Sequence, residues 1–600
     1  MHAPPAQLRQ LRQLIEQVRR GKLSRRDFIH HLAARGLGVG MAATLLVDAG
    51  IAQVAGAPPA YAPTKRGGGG TLRALLWQGP TTLQPHFAIG SKDIEGCSLF
   101  YEPLARWDGD GHLQAVLAAE IPSRENGGVA SDGRSVQWKL KRGVTWHDGS
   151  PFTADDLVFN WQFATDPATA STRAGQYMGT RFEKLDAHTV RVHFERPTSF
   201  WAGGYVTVLL VPRHLFATHQ GARARESPHH DKPVGTGPYR FTELRPGDML
   251  RGALNPTYHL PNRPHFDAVE VKGGGDATSA ARAVLQTAEF DYAWNMLVEE
   301  DLLKRLETAG KGRVLMAGGG SVEFIQLNCT DPWTEVDGER ASPKSRHPFF
   351  RDPALRQAMA LLLDRQSLQD HVFGRAGVAT PNILNNPERF RSPNRRHEFS
   401  VDKANAMLDK AGYRRGTDGL RQQGGKPLRF VFQSSTNPLR QKVQSVVKHA
   451  CAQAGIALEL KPVQASVFFG ADLANPDTVA KFWADMQMFA FTMSEPDPRR
   501  FMDQYVSWEM AAKANGWQGR NYMRWRNDDY DAAYRAADAQ LDPVRRAAIY
   551  MRMNDIVCGD NHLLPLVTRP KLAAVGKGLQ LPLSGWSEDL ASIAHWYREA

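Results

Sequence analysis

The chain of 600 residues is too long for one hydrophobic core, so two or three domains are expected. Its hydrophobic fraction of 42% and charged fraction of 23% are those of an ordinary globular protein. The formal net charge is +12, of which residues 1–62 contribute +5 through eight Lys or Arg and three Asp or Glu. Nucleic-acid-binding proteins concentrate basic charge on one face or tail, so this spread of charge argues against a nucleic-acid partner.

The first 62 residues have the pattern of an export signal. Arg25 and Arg26 precede Phe28 in a match to S-R-R-x-F-[hydrophobic], and a weakly apolar run follows between about residues 37 and 47. This run is far shorter than the ~20 residues of a transmembrane helix. The pattern resembles a twin-arginine (Tat) signal, which implies export by the Tat translocase and a soluble periplasmic protein. A basic amphipathic helix is the alternative, and cleavage after residue 62 or residue 52 stays open.

A helix start is predicted in VTWHDGSPFTADDLVFNW, residues 144–161. Thr153 stands at its N-cap, and two aspartates follow in the first turn, where carboxylates favour the positive end of a helix. The alternative is a metal or acid-base site of a secreted metallohydrolase. The residues that such a site would use are His147, Asp148, Asp155 and Asp156. The capping interpretation is preferred because it gives every polar residue of the stretch a structural role.

The same region resembles a known family. Residues 131–162 match D-G-x-x-[apolar]-x-[aromatic]-x-L-[RK]-x-G-V-x-[WF]-H-D-G-x-P-[FL]-T-A-[DE]-D almost throughout. Further segments follow in family order: PVGTGPYRF at 233–241, EFDYAWNM at 289–296 and HPFFRDPALRQAMALLLDRQSL at 347–368. From about residue 70 to residue 600, the chain resembles the family 5 extracellular solute-binding proteins, the dipeptide, oligopeptide and nickel receptors of ABC importers.

The resemblance implies an α/β fold of the type II periplasmic binding protein class, with two lobes, a hinge and an extra subdomain on lobe one. Two strands, Arg313–Met316 and Val322–Leu327, would carry the chain into lobe two around three glycines. The implied boundaries are residues 1–62 for the signal region, 63–93 and 216–320 for lobe one, 94–215 for the extra subdomain, 321–565 for lobe two and 566–600 for the return to lobe one.

The resemblance also implies a ligand cleft between the lobes. Relatives that bind peptides hold the ligand's α-ammonium with an aspartate, and the corresponding position here is Thr492. A hydroxyl group lacks the countercharge that an ammonium needs in a partly dry cleft, so Glu495 or Asp497 would take this role, or the ligand lacks a free N-terminus. The candidate ligand-binding residues are Gln78, Trp294, Asn295, Thr492, Glu495, Asp497, Trp508, Arg520 and Asn521.

The cysteines and the paired histidines do not predict a metal site. Adjacent histidines such as His229 and His230 diverge on an extended loop, so a surface turn is preferred over a metal-binding pair there. The cysteines are too far apart for a zinc motif, and disulfides and buried thiols are both open. They are Cys97, Cys329, Cys451 and Cys558. No metal or cofactor is therefore expected.

The expected function is that of the periplasmic binding component of an ABC importer rather than an enzyme. The protein would capture a peptide or peptide-like solute, which favours the closed state, and pass it to the importer's membrane subunits. A receptor of the same fold for a metal chelate, an oligosaccharide or an opine is the alternative, and the threonine at position 492 favours it. A secreted metallohydrolase is the least favoured hypothesis.

Overall fold

The computed structural model describes residues 62–599 apart from 89, 110, 199, 471–473, 494 and 541, together with Leu14, Gln17 and Phe28. Within it the chain divides into two compact units. The central unit comprises Gly319–Asp538 and Arg545–Pro570, and the terminal unit comprises His2–Gly318, Ala539–Val544 and Lys571–Ala600. Of the predicted signal residues, Arg25 and Arg26 lie outside the described residues, and Phe28 is helical and buried.

Helices and strands alternate along much of the described chain. The helices are α1 (Ser91–Cys97), α2 (Ala154–Thr165), α3 (Arg213–Phe216), α4 (Ala277–Leu285), α5 (Glu300–Glu307), α6 (Pro353–Leu361), α7 (Arg365–Leu368), α8 (Val401–Lys410), α9 (Pro438–Gln453), α10 (Ala465–Phe468), α11 (Arg499–Met502), α12 (Asp528–Ala539) and α13 (Pro543–Gly559). The strands are β1 (Thr71–Leu76), β2 (Ala105–Trp107), β3 (Leu113–Ala115), β4 (Ser135–Lys139), β5 (Thr180–Asp186), β6 (Thr189–Phe194), β7 (Tyr239–Arg245), β8 (Met249–Leu254), β9 (Ala268–Gly273), β10 (Tyr292–Trp294), β11 (Gly312–Leu327), β12 (Glu335–Val336), β13 (Glu339–Arg340), β14 (Val378–Ala379), β15 (Arg414–Arg415), β16 (Arg421–Gln423), β17 (Lys426–Pro427), β18 (Arg429–Ser435), β19 (Ala457–Val463), β20 (Met486–Met493), β21 (Leu563–Gly576), β22 (Leu579–Gln580) and β23 (Tyr597–Arg598).

The central unit is built on a mixed sheet with the strand order β19-β18-β20-β11-β21. β18 runs parallel to β19 and to β20, and β20 is antiparallel to β11. Helix α9 connects β18 to β19 and packs on both strands, as a right-handed parallel crossover requires. The sheet is apolar inside, where the rings of Phe324 and Phe489 meet at 4.7 Å. This arrangement brings the carboxyl ends of β18 and β20 to one edge of the sheet.

Within the same sheet, the paired strands of the terminal unit have the order β21-β10-β1-β9-β8-β7. β1 is parallel to β9 and β10, so the carboxyl ends of these three strands lie at one edge. A separate antiparallel sheet, β4-β6-β5, lies beside α2. The apolar core of the main sheet includes Leu72, Phe100, Val271 and Trp596, all of them fully buried.

The predicted helix start is confirmed. Thr153 is the N-cap of α2, and its N–H donates to Asp156 Oδ2 at 2.9 Å in a capping box. The other Asp156 oxygen accepts the N–H of Arg213 at 2.9 Å. Asp155 forms an ion pair with Lys184 at 2.7 Å, and both side chains are largely exposed. The two carboxylates therefore serve different contacts, and one of them anchors a second helix.

Replacing Asp156 with alanine is expected to lower the free energy of unfolding by about 1–3 kcal/mol, because two backbone N–H groups lose their acceptor. The matched control is Asp155→Ala, which loses an exposed ion pair worth less than about 1 kcal/mol. Urea unfolding of both variants measures the difference. Equal stability of the two variants, with a hydrolytic activity lost only in Asp156→Ala, would instead support the metallohydrolase hypothesis.

The predicted pair of strands at the crossing is wrong in one respect. Gly312–Leu327 is a single strand of 16 residues, with no break at its glycines. Glycine keeps both backbone hydrogen-bonding groups, so the ladder continues through it. Gly320 lies opposite Met493, and a Cβ at this position would come within 2.5 Å of the methionine Cβ. The glycine is therefore needed for the close approach of β11 to β20.

The structure decides between disulfides and free thiols for the four cysteines. All four are free thiols, three of them fully buried and one half-buried. Burial raises the pKa of Cys451 and of Cys558 to about 12, so neither is a reactive thiolate at neutral pH. Among the described residues, no helix is both long enough and apolar enough to span a membrane.

Candidate functional site

The carboxyl ends of the parallel strands in the central unit form a polar edge. β18 ends at Ser435, β20 ends at Met493, and the pairing of β11 with β20 begins at Gly320, opposite Met493. In α/β sheets of this kind, ligands bind outside the carboxyl ends of the strands. We call this region the hydroxyl edge, and define it by Ser321, Ser435, Thr436, Thr492 and Thr568.

The hydroxyl edge is tied together by its own side chains. Ser321 Oγ and Thr492 Oγ1 lie 2.6 Å apart across the β11–β20 pair, and Thr568 Oγ1 donates to the Ser321 carbonyl at 3.2 Å. Thr492 is exposed, so its hydroxyl is open to solvent on the strand. The edge offers neutral donors and acceptors rather than a carboxylate at the position where the resemblance implies an aspartate.

A buried carboxylate, that of Glu323, lies two residues after Ser321 on β11. Glu323 accepts hydrogen bonds from Arg440, in the first turn of α9, and from Arg569 of β21, the latter at 3.1 Å. Burial opposes the ionisation of Glu323, but the charges and hydrogen bonds of the two arginines outweigh it and hold the carboxyl pKa below its ordinary value. Two cations thus share one anion.

A small pocket of about 170 Å³ lies beside the hydroxyl edge. It is lined by Gly320 and Val322 of β11, the 383–386 segment, Met493, Phe501 and Thr568. Asn386 Nδ2 closes one side by donating to the Gly319 carbonyl at 2.8 Å. This volume is open to solvent and leaves no enclosed space for a water-sized molecule, so the pocket does not by itself form a solute site.

Of the two acidic residues predicted to bind the ligand, Asp497 already forms an ion pair within the fold. Asp497 is buried and forms a two-point ion pair with Arg546, whose Nη2 lies 2.9 Å from Asp497 Oδ1. Glu495 is also buried, and no described residue shares a hydrogen bond with its carboxyl group. Burial and the nearby charge of Asp497 raise the pKa of Glu495 to about 8. Glu495 is therefore neutral at pH 7.

The other predicted residues of the central unit are divided between structure and surface. Arg520 pairs with Asp503 and donates to the Arg500 carbonyl at 2.6 Å. Asn521 is fully buried and bridges the backbone carbonyls of Val506 and Trp525 at 3.1 and 2.8 Å. These contacts position the loop that follows α11.

Trp508 differs from these residues because it lies at the surface. Its ring is 47% exposed, packs edge-on against Tyr534 at 6.0 Å and lies under the guanidinium of Arg535 at 4.6 Å. An exposed indole with a cation over one face is a contact surface rather than a core element.

The predicted residues of the terminal unit meet at the carboxyl ends of β1 and β10. Trp294 ends β10 and is buried, and its ring lies 6.1 Å from that of Trp77. Trp77 Nε1 donates to the Asn295 carbonyl at 3.1 Å, and Asn295 has a φ of 56°, a left-handed conformation that asparagine tolerates. Gln78, the next residue after Trp77, is exposed. The three candidate residues Gln78, Trp294 and Asn295 thus lie at or just after the ends of β1 and β10, and Trp77 was not among the predicted residues.

A buried acidic group in the same unit was not predicted. Glu95, at the end of α1, accepts the backbone N–H groups of Asp589 and Leu590 at 2.9 and 2.8 Å. Asp589 pairs with Lys571 at 2.5 Å and accepts the phenolic hydrogen of Tyr292. Burial, with the charge of Asp589, raises the pKa of Glu95 well above its ordinary value. These contacts fasten the last segment of the chain to the sheet.

The residues proposed for the alternative metallohydrolase site do not come together around one point. His147 is buried between two backbone groups, its Nε2 3.1 Å from the Gly237 carbonyl and its Nδ1 accepting from Gly235, and burial lowers its pKa to about 4. Asp148 pairs instead with His214 at 2.6 Å. Among the described residues, no group of three potential ligands could hold a metal ion.

The paired histidines also diverge, as the sequence indicates. The His230 ring stacks on Phe87 at 5.4 Å, whereas the His229 ring meets Phe216 edge-on at 6.4 Å. The adjacent Asp231 accepts from the Leu83 N–H at 3.1 Å. All three side chains have structural contacts.

Sequence reasoning missed Glu323, Arg440 and Arg569. Two of them carry a signal that could have been used, because each is a charged residue within an apolar strand: SVEFIQL for the glutamate and LLPLVTRPKLAAV for the strand arginine. A charge in a buried strand needs a partner. The sequence does not show that these partners are each other, since the residues are separated by more than 100 positions.

The comparisons with known proteins identify the family. The model of bacterial extracellular solute-binding proteins, family 5 middle, matches residues 114–512. The chain belongs to this family. The oligopeptide-binding protein AppA of Bacillus subtilis is 25% identical over 519 residues, covering 84% of this chain and 87% of AppA. The glutathione-binding protein GsiB of Escherichia coli is 24% identical over 525 residues, covering 86% and 92%.

Solved structures support the same fold. AppA of Bacillus subtilis in complex with a nonapeptide gives a TM-score of 0.72 at 22% identity, over 90% of this chain and 100% of that chain. NikZ of Campylobacter jejuni in complex with Ni(L-His) also gives 0.72, at 19% identity, over 88% and 99%. The predicted type II periplasmic binding protein fold of a family 5 member is confirmed. These relatives are solute-binding proteins, which agrees with a role in binding rather than catalysis.

Proposed function

We propose that this family 5 protein is the periplasmic substrate-binding component of an ABC importer, which captures a peptide or peptide-like solute and delivers it to the membrane subunits. Membership of the family over residues 114–512 supports the receptor role. AppA, a relative that spans most of both chains, is an oligopeptide-binding protein, which supports the solute class.

The observation that carries the proposal is the hydroxyl edge of the central unit. Peptide backbones need alternating donors and acceptors, and the Ser321 and Thr492 hydroxyls supply both at the carboxyl ends of the strands. In the terminal unit, Trp77 and Trp294 provide an aromatic pair at the equivalent strand ends. Apolar surface with a few placed polar groups is the usual composition of a solute site.

A direct experiment identifies the solute. The full chain, purified without denaturation, is expected to show a bound small molecule in native mass spectrometry that is lost after unfolding, and its mass would separate a peptide from other solutes. Isothermal titration with a mixed tripeptide library should then give micromolar affinity, about −8 kcal/mol. A protein that carries no solute and binds no peptide in this panel would contradict the peptide assignment.

A second candidate, a receptor for a non-peptide solute, is favoured by two observations at the same edge. Position 492 is a threonine with its hydroxyl paired to Ser321, and Glu495 is neutral at pH 7. Neither residue supplies a negative charge for an α-ammonium. A metal chelate, an oligosaccharide or an opine in the mass spectrum would establish this candidate.

We also propose that the protein reaches the periplasm through the Tat translocase and folds with lobe boundaries near residues 93, 215, 320 and 565. The match of Arg25, Arg26 and Phe28 to the twin-arginine pattern supports the export route. Replacement of both arginines by lysine should leave the precursor in the cytoplasm, and undiminished export of that variant would contradict the proposal.

A further inference from the structure

Three charged side chains of the central unit form a buried group with unequal charge. Arg440 and Arg569 both contact Glu323, and these side chains are 12%, 11% and 1% exposed, respectively. The charges of both arginines act on Glu323, and the charges that act on Arg569 are those of Glu323 and Arg440. Two positive charges therefore share one negative charge, and the group carries one surplus cation.

Arg569 is less completely paired than Arg440. Arg440 contacts both Glu323 oxygens and also donates through Nη1 to Ser435 Oγ at 2.6 Å. Arg569 contacts Glu323 through Nη1 only, and its buried Nε has no hydrogen-bond partner among the described residues. Burial lowers the pKa of Arg569, which is the expected response of a cation that is incompletely paired.

A buried group of two cations and one anion lowers the stability of the protein unless a second anion pairs with the extra cation. A buried charge without a partner costs several kcal/mol, and an unpaired buried N–H costs about 1–3 kcal/mol. A purely structural ion pair at Glu323 would need one arginine. The second arginine instead gives this group the capacity to bind one further anion.

The position of the group fits a ligand. Arg440 lies in the first turn of α9, directly after the carboxyl end of β18, and Arg569 follows Thr568 of the hydroxyl edge. Ser321 lies two residues before Glu323 on β11 and therefore on the same face of the strand, so its hydroxyl is on the side of the guanidinium groups. Guanidinium and hydroxyl donors together match the two acceptor oxygens of a carboxylate.

We propose that Arg569 and Arg440, held by Glu323, form the subsite for a carboxylate of the solute. The inference rests on the proposed receptor function and narrows its substrate class: the solute presents a carboxylate, not an ammonium, to this edge. Neither of the two acidic residues predicted to hold an ammonium is available for that role, because Asp497 is paired with Arg546 and burial raises the pKa of Glu495 to about 8. The carboxylate is either the C-terminus of a peptide or a side-chain or dicarboxylate group.

Four probes in the same buffer test the subsite on the full chain. They are N-acetyl-trialanine as the free acid, the same peptide as its C-terminal amide, N-acetyl-Ala-Asp-Ala-amide and succinate. Thermal shift and titration calorimetry are run at constant ionic strength, with chloride as the reference anion. The free acid is expected to bind and the trialanine amide to bind at least about tenfold more weakly, because the arginines lose their charged acceptor.

The other two probes distinguish the source of the carboxylate. Binding of N-acetyl-Ala-Asp-Ala-amide or succinate at the strength of the free acid places a side-chain or dicarboxylate group at the arginines. Binding of the free acid alone places the peptide C-terminus there. Equal binding of the free acid and the trialanine amide, or no response to any probe that carries a carboxylate, overturns the proposal.

Variants of Arg569 separate a subsite from a structural role. Arg569→Met should weaken binding of the carboxylate probe about 30-fold, whereas Arg569→Lys, which keeps the charge, should lose less than about tenfold. The matched control is Arg429→Met, an exposed arginine on the same sheet at the opposite end of β18. Without probe, Arg569→Met should be at least as stable as the wild type, because Arg440 still pairs with Glu323.

A structural role predicts the reverse pattern. Arg569→Met would then unfold more easily than the wild type, while the wild type would not discriminate between acid and amide. The comparison of acid with amide needs no variant, so it decides the question even if a variant fails to fold. Peptide binding that survives in Arg569→Met would overturn the subsite but leave the receptor function standing. Succinate binding without any peptide binding would support the subsite but contradict a receptor for peptides.

Discussion

Replacing Asp497 with alanine is expected to lower the free energy of unfolding by about 3–5 kcal/mol. The substitution leaves Arg546 buried without its anion and removes the acceptor of the Arg499 N–H, which lies 2.9 Å from Asp497 Oδ1. Arg546 keeps the Ala537 carbonyl and the Tyr550 hydroxyl, both at 3.1 Å. Neither group carries the negative charge that a buried guanidinium loses with Asp497.

Urea unfolding measures this loss, with Glu398→Ala as the control. Glu398 pairs with Lys403 on the surface, where both side chains are more than half exposed, so its removal should cost less than about 1 kcal/mol. The double variant Asp497→Leu/Arg546→Met should recover most of the stability, because it removes both charges together. If Asp497→Ala kept its stability and lost only solute binding, Asp497 would be a ligand residue after all.

Replacing Glu495 with glutamine is expected to make the protein more stable than the wild type at pH 8 and equally stable at pH 4. Burial and the charge of Asp497 raise the pKa of Glu495 from 4.5 to about 8 in the folded protein. Between these pH values the folded state holds a proton that the unfolded state has lost, so this group's contribution to stability falls as the pH rises. The shift corresponds to roughly 3–5 kcal/mol.

Unfolding free energies at pH 4.5, 6, 7 and 8 test this prediction. The wild-type curve also contains Asp503, whose pKa is raised to about 6 by burial, so only the difference between wild type and Glu495→Gln reports on Glu495. That difference should grow with pH and level off above pH 8. Glu388→Gln, at an exposed position, serves as the control and should run parallel to the wild type. Parallel curves for Glu495→Gln would show that Glu495 is ionised in the folded protein.

Local sequence patterns predicted local structure well. The order Thr153, Asp155, Asp156 specifies a helix start because capping depends on residues two or three positions apart, and the structure has that start. Adjacent histidines diverge for an equally local reason, and His229 and His230 do so. The two strands expected around the glycines of β11 form one continuous strand, whose pairing with β20 begins at Gly320.

The candidate ligand residues were harder to judge from the sequence, because their roles depend on distant partners. Asp497 and Arg546 are 49 positions apart, and the sequence does not reveal that the aspartate is already neutralised. Asn521 reads as a donor for ligand, yet its side chain is used by two backbone carbonyls. Trp294 lies at the end of β10 and Asn295 follows it, and their partner Trp77 becomes evident only when β1 and β10 pair.

The sequence by itself determined the family, the α/β class and the positions of caps, because these depend on ordered motifs and short-range periodicity. Only the tertiary structure decided which charges are neutralised and which are left over. Glu323, Arg440 and Arg569 come from three elements separated by more than 100 residues, and their balance of two cations to one anion exists only after the sheet has formed. Electrostatic energy depends on distance in space and on burial, and neither quantity can be read from separation along the chain.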